Sequence, residues 1–394
     1  MNIVWIIPRI PYPTSDGGAT CMFHTLRAFS QQGHAIYICG YESELHIQDR
    51  DGLSEFGELL TQPGNFSSYT SWDAIKFSLL RKPLTVFHKY DKQILIDQFE
   101  QINIQPDVVF FEGVQVAKHI GIAKKYFPTS KIVIREQNVE YQILGSIAKT
   151  SKNLLKRTFY KDQSALLKRF EYRVLALSDL VITITEEDKK TLRSLSDSVD
   201  ITTITAGTLL PQHLEIPRSK HKVLMISSWK WEPNLFGITW FLSEVWDDLL
   251  NIMPHLELHI AGSGLPDHLY SSKRNIIYHG FVEDLEPLKQ TSTVFLAPIF
   301  SGSGIKIKVL EALSSRIPVV TTPLGASGIQ LTDDKDVVLF HNKASLISSI
   351  TSLINDPQKR TLIGLNGYNH VKENFTWDSI GHQLSNTLQA LVDS

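Results

Sequence analysis

The segment from Pro298 to Leu324, PIFSGSGIKIKVLEALSSRIPVVTTPL, constrains the fold of this chain more than any other stretch. An apolar run of strand type, Thr293–Ala297, precedes a glycine-containing loop at Ser301–Gly304. Helical spacing then extends from Ile305 to Leu313, and the β-rich run Ile317–Thr321 follows. The segment therefore predicts a strand–loop–helix–strand unit, in which backbone N–H groups and the positive helix end point at one spot.

Such a loop suits a phosphate group, and two side chains near it extend the idea. Lys306 is predicted in the first turn of the helix, where a cation would add to an anion site. Glu311 lies five residues further on and could accept hydrogen bonds from a sugar diol. The alternative is an ordinary β–α turn, in which Lys306 is solvated and Glu311 caps or pairs with a neighbour.

The same alternation of strand and helix recurs along the chain. Asn2–Ile7 reads as a buried strand, a helix follows the Gly17-Gly18 pair, and Ala35–Cys39 is the next strand. Further apolar runs, DVVFFEG and KIVIRE, indicate a doubly wound parallel sheet. The proline-containing run 211–222 is a candidate linker, and a second alternating series begins at Val223.

Composition limits the function classes. At 394 residues the chain is long enough for two domains, and its 42% hydrophobic and 20% charged residues are typical of folded globular proteins. The net charge of −2 gives no reason to expect nucleic acid. Cys21 and Cys39 lie in apolar stretches without metal-ligand spacing, which favours buried free thiols. We expect no signal peptide and no membrane span, hence a cytoplasmic protein.

The stretch GSGIKIKVLEALSSRIPVVTTPLGASGI closely resembles the donor-binding motif of the family 4 glycosyltransferases (glycosyl transferases group 1), which are retaining enzymes of the GT-B fold. It is nearest the branch with the pattern G-S-G-x-[RK]-x-K-V-L-E-A. The family motif has two glutamates separated by seven residues: Glu311 matches the second, which binds the nucleotide ribose, and Ser303 replaces the first. The resemblance implies donor contacts from Gly302, Ser303, Gly304, Ile305, Lys306, Ile307 and Glu311.

Two loops of the N-terminal half are similar to loops of the same family. The Gly17-Gly18 loop matches one that faces the inter-domain cleft and touches the donor phosphates or the acceptor. Glu136-Gln137-Asn138 matches a loop whose histidine faces the sugar, and this chain has Gln137 there. A glutamine cannot be a general base, so its role would be hydrogen bonding. With Asp16, these three residues are the predicted acceptor contacts.

The branch pattern G-S-x-x-W-x-P-N maps onto Ser227 to Asn234. Many relatives place an arginine and a lysine near this turn to clamp the diphosphate, and Ser228 and Asn234 hold those positions here. Lys306 and Lys230 would then supply the charge, while Trp231 is interpreted as a core residue. Gly280, Phe281 and Val282 resemble a turn whose backbone reads the nucleobase.

The resemblance implies an α/β protein with two Rossmann-like domains facing across a cleft and a last helix that crosses back. The domains would be 1–210 with 378–394, which bind the acceptor, and 223–377, which bind the nucleotide sugar, joined by the linker 211–222. The implied reaction moves a hexose-type sugar to a glycan, glycolipid or other acceptor of cell-surface polysaccharide synthesis, with retention. Lys306, Glu311 and Gln137 are the predicted catalytic residues, and we expect no cofactor and no metal ion.

Two basic stretches leave a further question open. Lys76, Arg81, Lys82, His88, Lys89 and Lys92 are interleaved with apolar residues, and seven basic residues lie between Lys152 and Arg173. These stretches could lie against the cytoplasmic face of a membrane or receive an anionic acceptor. Alternatively, they are helices packed on the domain with a solvated charged face.

Two other functions remain alternatives. A sugar-nucleotide epimerase or hydrolase on the same scaffold would need a cluster of acidic and histidine residues for proton abstraction. A protein that binds a nucleotide sugar or a partner transferase without catalysis would accord with Ser303 and Gln137 replacing two polar groups of the family.

Overall fold

Parallel strands and helices alternate along the chain, and their contacts divide it into two units. The structure is a computed structural model, described for residues 1–14, 16–43, 48–64, 69–88, 90–151, 153–211, 221–302 and 304–394. Unit 1 comprises residues 1–206 and 377–394, and unit 2 comprises residues 207–376. Ser303, Lys89, Lys152 and most of the predicted linker lie outside the described residues.

The unit bounds differ by a few residues from the predicted domains. Unit 1 ends at residue 206 instead of 210 and resumes at residue 377 instead of 378. Lys222, the last residue of the predicted linker, is the first residue of a strand and is buried.

The sheet of unit 1 is parallel throughout its described strands. In space the order is β3-β2-β1-β5-β6-β7-β8, and β4 also pairs with β2. The central strands are buried along nearly their whole length, as expected for a parallel sheet covered on both faces. Their bounds are β1 Asn2–Ile7, β2 Ala35–Glu42, β3 Glu58–Leu59, β4 Gln62–Pro63, β5 Val108–Glu112, β6 Lys131–Glu136, β7 Leu180–Thr183 and β8 Asp200–Thr203.

The helices of unit 1 connect these strands. Their bounds are α1 Gly17–Ser30, α2 Ser71–Leu79, α3 Leu84–Phe87, α4 Lys92–Phe99, α5 Ile120–Tyr126, α6 Glu140–Thr150, α7 Leu154–Leu177 and α8 Glu186–Arg193. A 3₁₀ turn, Ala117–His119, precedes α5. Cys21 and Cys39 are buried free thiols, as predicted.

Unit 2 repeats the architecture with a smaller parallel sheet. Its strands are β9 Lys222–Ile226, β10 Glu257–Ala261, β11 Ile276–Gly280, β12 Val294–Ala297, β13 Val319–Thr321 and β14 Val338–Leu339. Its helices are α9 Glu232–Glu244, α10 Trp246–Ile252, α11 Glu286–Thr291, α12 Ile307–Ser314, α13 Lys343–Asn355 and α14 Pro357–Asn374. A core of buried aliphatic and aromatic side chains, centred on Phe241, Trp246 and Leu258, packs against this sheet.

Strand order in unit 2 identifies the type of sheet. The spatial order is β11-β10-β9-β12-β13-β14, which is the 3-2-1-4-5-6 order of a dinucleotide-binding, Rossmann-type sheet. The predicted class, α/β with two doubly wound parallel sheets, is therefore confirmed.

The last helix, α15 Trp377–Asp393, belongs to unit 1 and packs on α1. A Cβ added at Gly381 would lie 2.5 Å from the carbonyl oxygen of Ala28, so the two helices approach with no room for a side chain. Nε2 of His34 lies 2.7 Å from Oγ of Ser385, and the ring of His24 stacks on Trp377. These contacts complete the covering of α1.

No helix among the described residues is both long enough and apolar enough to cross a bilayer.

Candidate functional site

The carboxyl ends of the strands of unit 2 share one edge of the sheet, because the strands are parallel. β10 lies beside β9 on one side, whereas β12 and β13 lie on the other, so the connections reverse direction between β9 and β12. Open α/β sheets bind ligands at such a switch point. The chain after β9 and the loop after β12 both lie at this point of the edge.

Two glycines shape the loop that follows β12. Gly302 has φ of +108° and Gly304 has φ of +73°, a region that glycine adopts without strain. A Cβ at Gly302 would meet no other part of the described structure within 4 Å, so the loop borders open space there. Ile305 is buried and anchors the loop.

Lys306 stands one residue before α12 and not in its first turn, because the helix begins at Ile307. Its Nζ donates a hydrogen bond to the carbonyl oxygen of Gly304 within the same loop. Lys306 therefore holds its charge at the N-terminal end of α12, as the phosphate hypothesis requires.

Lys308, two residues further on, is a candidate site residue that the sequence analysis missed. Its Nζ donates to Oγ of Ser227 at 2.8 Å and to Oδ1 of Asn234 at 2.7 Å. Burial, and to a smaller extent the positive charge of Lys306, lower the pKa of Lys308 to about 7. Two cations thus converge at the switch point. The basic position x-K-V-L-E-A in the motif was the available signal.

Asn234 and Ser228 are oriented by the same network. Nδ2 of Asn234 donates to the carbonyl oxygen of Ser228 at 2.9 Å, which leaves its Oδ1 facing Lys308. Lys230 is exposed, and its side chain passes over Gly264, where a Cβ would lie 2.5 Å from its Cγ. The turn after β9 therefore contacts the donor motif through Lys308.

Trp231 is 48% exposed, so its interpretation as a core residue is wrong. The buried indole belongs to Trp229, whose Nε1 donates to the carbonyl oxygen of Ala261 at 3.0 Å. Trp229 lies in the turn before α9, whereas Trp231 is the N-cap residue of that helix.

Glu311 lies on α12, half-buried. Burial raises the pKa of its carboxyl group, while nearby Lys289 opposes that shift and Glu286 adds to it.

At the edge strand β11, Gly280 has φ of +66°, and its carbonyl oxygen accepts from the N–H of Gly262 at 2.7 Å. Phe281 and Val282 follow it, and Phe281 is exposed. Gly280, Phe281 and Val282 therefore lie at the carboxyl end of β11.

In unit 1, the N-terminus of α1 carries the Gly17-Gly18 pair. Asp16 is the N-cap residue and accepts from the N–H of Ala19 at 2.9 Å. Arg9 donates to both carboxylate oxygens of Asp16, at 2.6 and 2.8 Å. The carboxylate of Asp16 is therefore hydrogen-bonded within the loop, and it remains partly exposed to solvent.

Gln137 meets this loop from the end of β6. A Cβ at Gly18 would lie 3.2 Å from Oε1 of Gln137, so a glycine allows the close approach. Nε2 of Gln137 donates to Oε1 of Glu112 at 2.9 Å, and the same oxygen accepts from Nε of Arg135 at 3.0 Å. Glu112 and Arg135 are buried at the ends of β5 and β6. The sequence analysis did not single them out, although both are polar residues that end apolar strands.

The other two acceptor-loop residues differ in accessibility. Asn138 is half-buried, whereas Glu136 is buried and neither of its carboxylate oxygens has a hydrogen-bond partner among the described residues. Burial, together with the nearby carboxyl groups of Glu140 and Asp188, raises the pKa of Glu136 to about 8. Glu171 accepts hydrogen bonds from the backbone of Glu140 and Tyr141 and also has a raised pKa, mainly through burial. The side chain of Glu136 is therefore buried beneath the surface of the loop.

Comparison with known proteins identifies a related family. Residues 220–356 match the family model described as glycosyl transferases group 1. An uncharacterized 44.6 kDa protein in the cps region of Klebsiella pneumoniae is 23% identical over 413 residues, covering 95% of this chain and 96% of that protein.

Solved structures show the same fold over nearly the whole chain. Sucrose-phosphate synthase (tll1590) from Thermosynechococcus elongatus superposes with a TM-score of 0.73 at 15% identity and 99% coverage of both chains. Anabaena Alr3699/HepE, solved in complex with UDP and glucose, superposes with a TM-score of 0.69 at 14% identity, covering 99% of this chain and 100% of that one. At these identities the likeness shows a shared fold.

Proposed function

We propose that this chain, which has the GT-B fold and matches glycosyl transferases group 1 over residues 220–356, is a glycosyltransferase using a nucleotide-diphosphate sugar. The transferred group is a hexose-type sugar, and the acceptor is a glycan or glycolipid. The reaction proceeds with retention and without a metal ion.

The observation that carries the proposal is the pair of lysines at the switch point of unit 2. Lys308 is a partly buried cation whose hydrogen bonds go to two neutral oxygens, and its charged neighbour Lys306 is also positive. A charged Lys308 that is held by two neutral oxygens is costly in a protein interior, which accords with its lowered pKa. A diphosphate bound against the Gly302–Gly304 loop would relieve that cost, since it brings negative charge to both lysines.

The same charges would act on the reaction itself. Negative charge grows on the leaving diphosphate as the bond to the sugar breaks, and fixed cations stabilise that charge. Glu311, further along α12, is positioned on the same helix to accept hydrogen bonds from the ribose hydroxyls. Anabaena HepE, a structural neighbour, was solved with UDP-glucose, which supports a nucleotide sugar as the donor.

Retention follows from the chemistry proposed for the acceptor loop. Gln137 cannot accept a proton as a general base, and the carboxylate of Glu112 beside it is paired with Arg135. The leaving phosphate would then take the acceptor's proton on the face from which it departs. Gln137 serves as a hydrogen-bonding group held in one orientation by Glu112.

Thermal unfolding with a panel of UDP-, GDP-, ADP- and dTDP-sugars tests the donor site. A ligand present at 100 times its Kd stabilises a protein by about 2.7 kcal/mol. We expect one nucleotide sugar to raise Tm, equally with Mg²⁺ and with EDTA. Lys306→Ala and Glu311→Ala should each remove that shift, whereas Lys335→Ala, an exposed lysine of unit 2, should not.

Transfer assays then separate the functions. If Lys306→Ala and Glu311→Ala both transfer sugar at the parental rate, the site assignment is wrong. A donor-dependent Tm shift without transfer to any glycan or lipid acceptor would favour the non-catalytic binding protein. An epimerised or hydrolysed nucleotide sugar, detected by NMR without an acceptor, would favour the alternative enzymes.

A further inference from the structure

We propose that unit 1 docks on an anionic lipid bilayer through a surface formed by α2 and the first turns of α7. This inference stands on unit 1 alone and does not depend on the proposed transferase activity. The docking surface consists of the exposed apolar residues Tyr69, Trp72, Ile75, Leu79, Leu80, Leu154 and Leu155 and the exposed cations Lys76, Arg81, Lys82, Lys156, Arg157 and Lys161.

Helix α2 presents its apolar face outward. Trp72, Ile75 and Leu79 follow the i, i+3, i+7 spacing of one helix face, and Trp72 and Leu79 are 79% and 78% exposed. Phe77 is the buried residue of this helix. A helix on the surface of a soluble domain ordinarily turns such a stripe toward the core, whereas the described residues of unit 1 leave the apolar face of α2 uncovered.

The first turn of α7 continues the apolar surface. Leu155 is 83% exposed and lies seven residues before Asp162, on the same side of the helix. Asp162 in turn accepts a hydrogen bond from Nη1 of Arg81 at 2.9 Å, just after α2. The exposed leucines of α7 therefore lie on the side of that helix that adjoins α2.

The charge around the apolar residues indicates which kind of partner binds the docking surface. Six cations and two carboxylates lie in residues 69–84 and 153–162, although the chain as a whole has a net charge of −2. Both carboxylates are engaged: Asp73 accepts from Thr70 and lies near His88, and Asp162 accepts from Arg81. The surface is therefore apolar with a basic border.

This combination fits a membrane better than a second copy of the chain. Lysines and arginines beside an apolar helix face favour an anionic membrane surface, and tryptophan is enriched at the membrane–water interface. A symmetric dimer through the same surface would bring the six cations of one copy against those of the other, which electrostatic repulsion opposes.

Vesicle co-sedimentation of the full chain tests the inference. We expect binding to phosphatidylcholine vesicles that contain phosphatidylglycerol, weak binding to phosphatidylcholine alone, and release by salt. The double variant Trp72→Ser/Leu155→Ser should lower partitioning at least about tenfold. Lys82→Gln/Lys156→Gln should lower partitioning on anionic vesicles by about tenfold or more and leave the weak binding to phosphatidylcholine unchanged.

Matched controls exclude general effects of surface mutation. Leu362→Ser removes an exposed leucine of unit 2, and Lys124→Gln/Lys125→Gln removes two exposed cations of α5. Both should bind vesicles as the parent does, and all variants should keep the parental near-UV circular dichroism. The inference is overturned if the parent does not bind anionic vesicles, or if the docking-surface variants bind as well as the controls. A parental dimer that Trp72→Ser/Leu155→Ser converts to a monomer in light scattering would also overturn it.

Discussion

Nζ of Lys308 lies 2.7 Å from Oδ1 of Asn234, and this hydrogen bond joins the donor motif after β12 to the turn after β9. Asn234 and Ser227 supply the oxygen atoms that hold this lysine, which lies in the first turn of α12.

Lys308→Met should weaken donor binding without unfolding the protein. Loss of a charge-assisted contact to phosphate should weaken nucleotide-sugar binding by about 2–3 kcal/mol, roughly 100-fold. We expect the free energy of unfolding to change by less than about 1 kcal/mol, because release of a partly buried charge offsets two lost hydrogen bonds. Calorimetric titration and chemical denaturation measure the two quantities. Parental affinity in the variant would refute the assignment of Lys308.

Donor affinity should fall as pH rises above about 7. The free protein holds Lys308 with a pKa of about 7, and the diphosphate binds its protonated form and raises that pKa. Affinity should therefore be constant below pH 7 and decrease up to tenfold for each pH unit above it. A nucleotide sugar is the suitable ligand, because its diphosphate does not titrate in this range. Lys308→Met should bind weakly with no such pH dependence.

Substitutions of Gln137 test whether its hydrogen bond to Glu112 holds it in the orientation that transfer requires. Gln137→Ala should lower kcat by about 10–100-fold and leave donor affinity unchanged, because a positioning hydrogen bond is lost. Gln137→Glu places a second carboxyl group beside Glu112, so one of the pair must hold a proton for the contact to persist. Activity of Gln137→Glu should therefore recover as pH falls, while Gln137→Ala shows no recovery. Equal pH profiles for the two variants would contradict the orienting role.

Glu136 should make the stability of the protein depend on pH. Its folded-state pKa of about 8 lies above the ordinary value of 4.5, since burial and the neighbouring carboxyl groups favour the protonated form. Its contribution is fully present below about pH 4.5 and is lost as pH rises toward 8. Glu136→Met should then be more stable than the parent by roughly 2–3 kcal/mol at pH 8, and by much less near pH 5.

Denaturant unfolding at the two pH values measures this difference. The same variant also tests the predicted contact between Glu136 and the acceptor. Retained transfer activity in Glu136→Met would exclude a direct contact, whereas a loss of kcat with parental stability would support one.

Sequence reasoning reached the two-sheet architecture because parallel strands buried on both faces appear as continuous apolar runs. The start of α12 was set too early, because Ile305 fits the helical spacing although it anchors the loop. Spacing alone cannot tell a helix residue from a buried loop residue beside the helix.

The donor and acceptor sites show a similar limit. Glu311, Lys306 and Gln137 are visible in short motifs, but their partners are not. Glu112 lies 25 residues before Gln137 in the sequence and becomes its neighbour only through the pairing of β5 with β6. The outward face of α2 was equally hidden, since an apolar stripe at helical spacing has the same sequence pattern whether the core or the exterior receives it.

The return of α15 to unit 1 has a consequence for how the protein is made. Residues 377–393, which cover α1, are synthesised after all of unit 2, residues 207–376. Unit 1 therefore remains attached to the ribosome, with α1 partly uncovered, while unit 2 is synthesised and folds. A chaperone that shields α1 during this interval, and a delay in translation after residue 376, would each affect the yield of native protein more than its final stability.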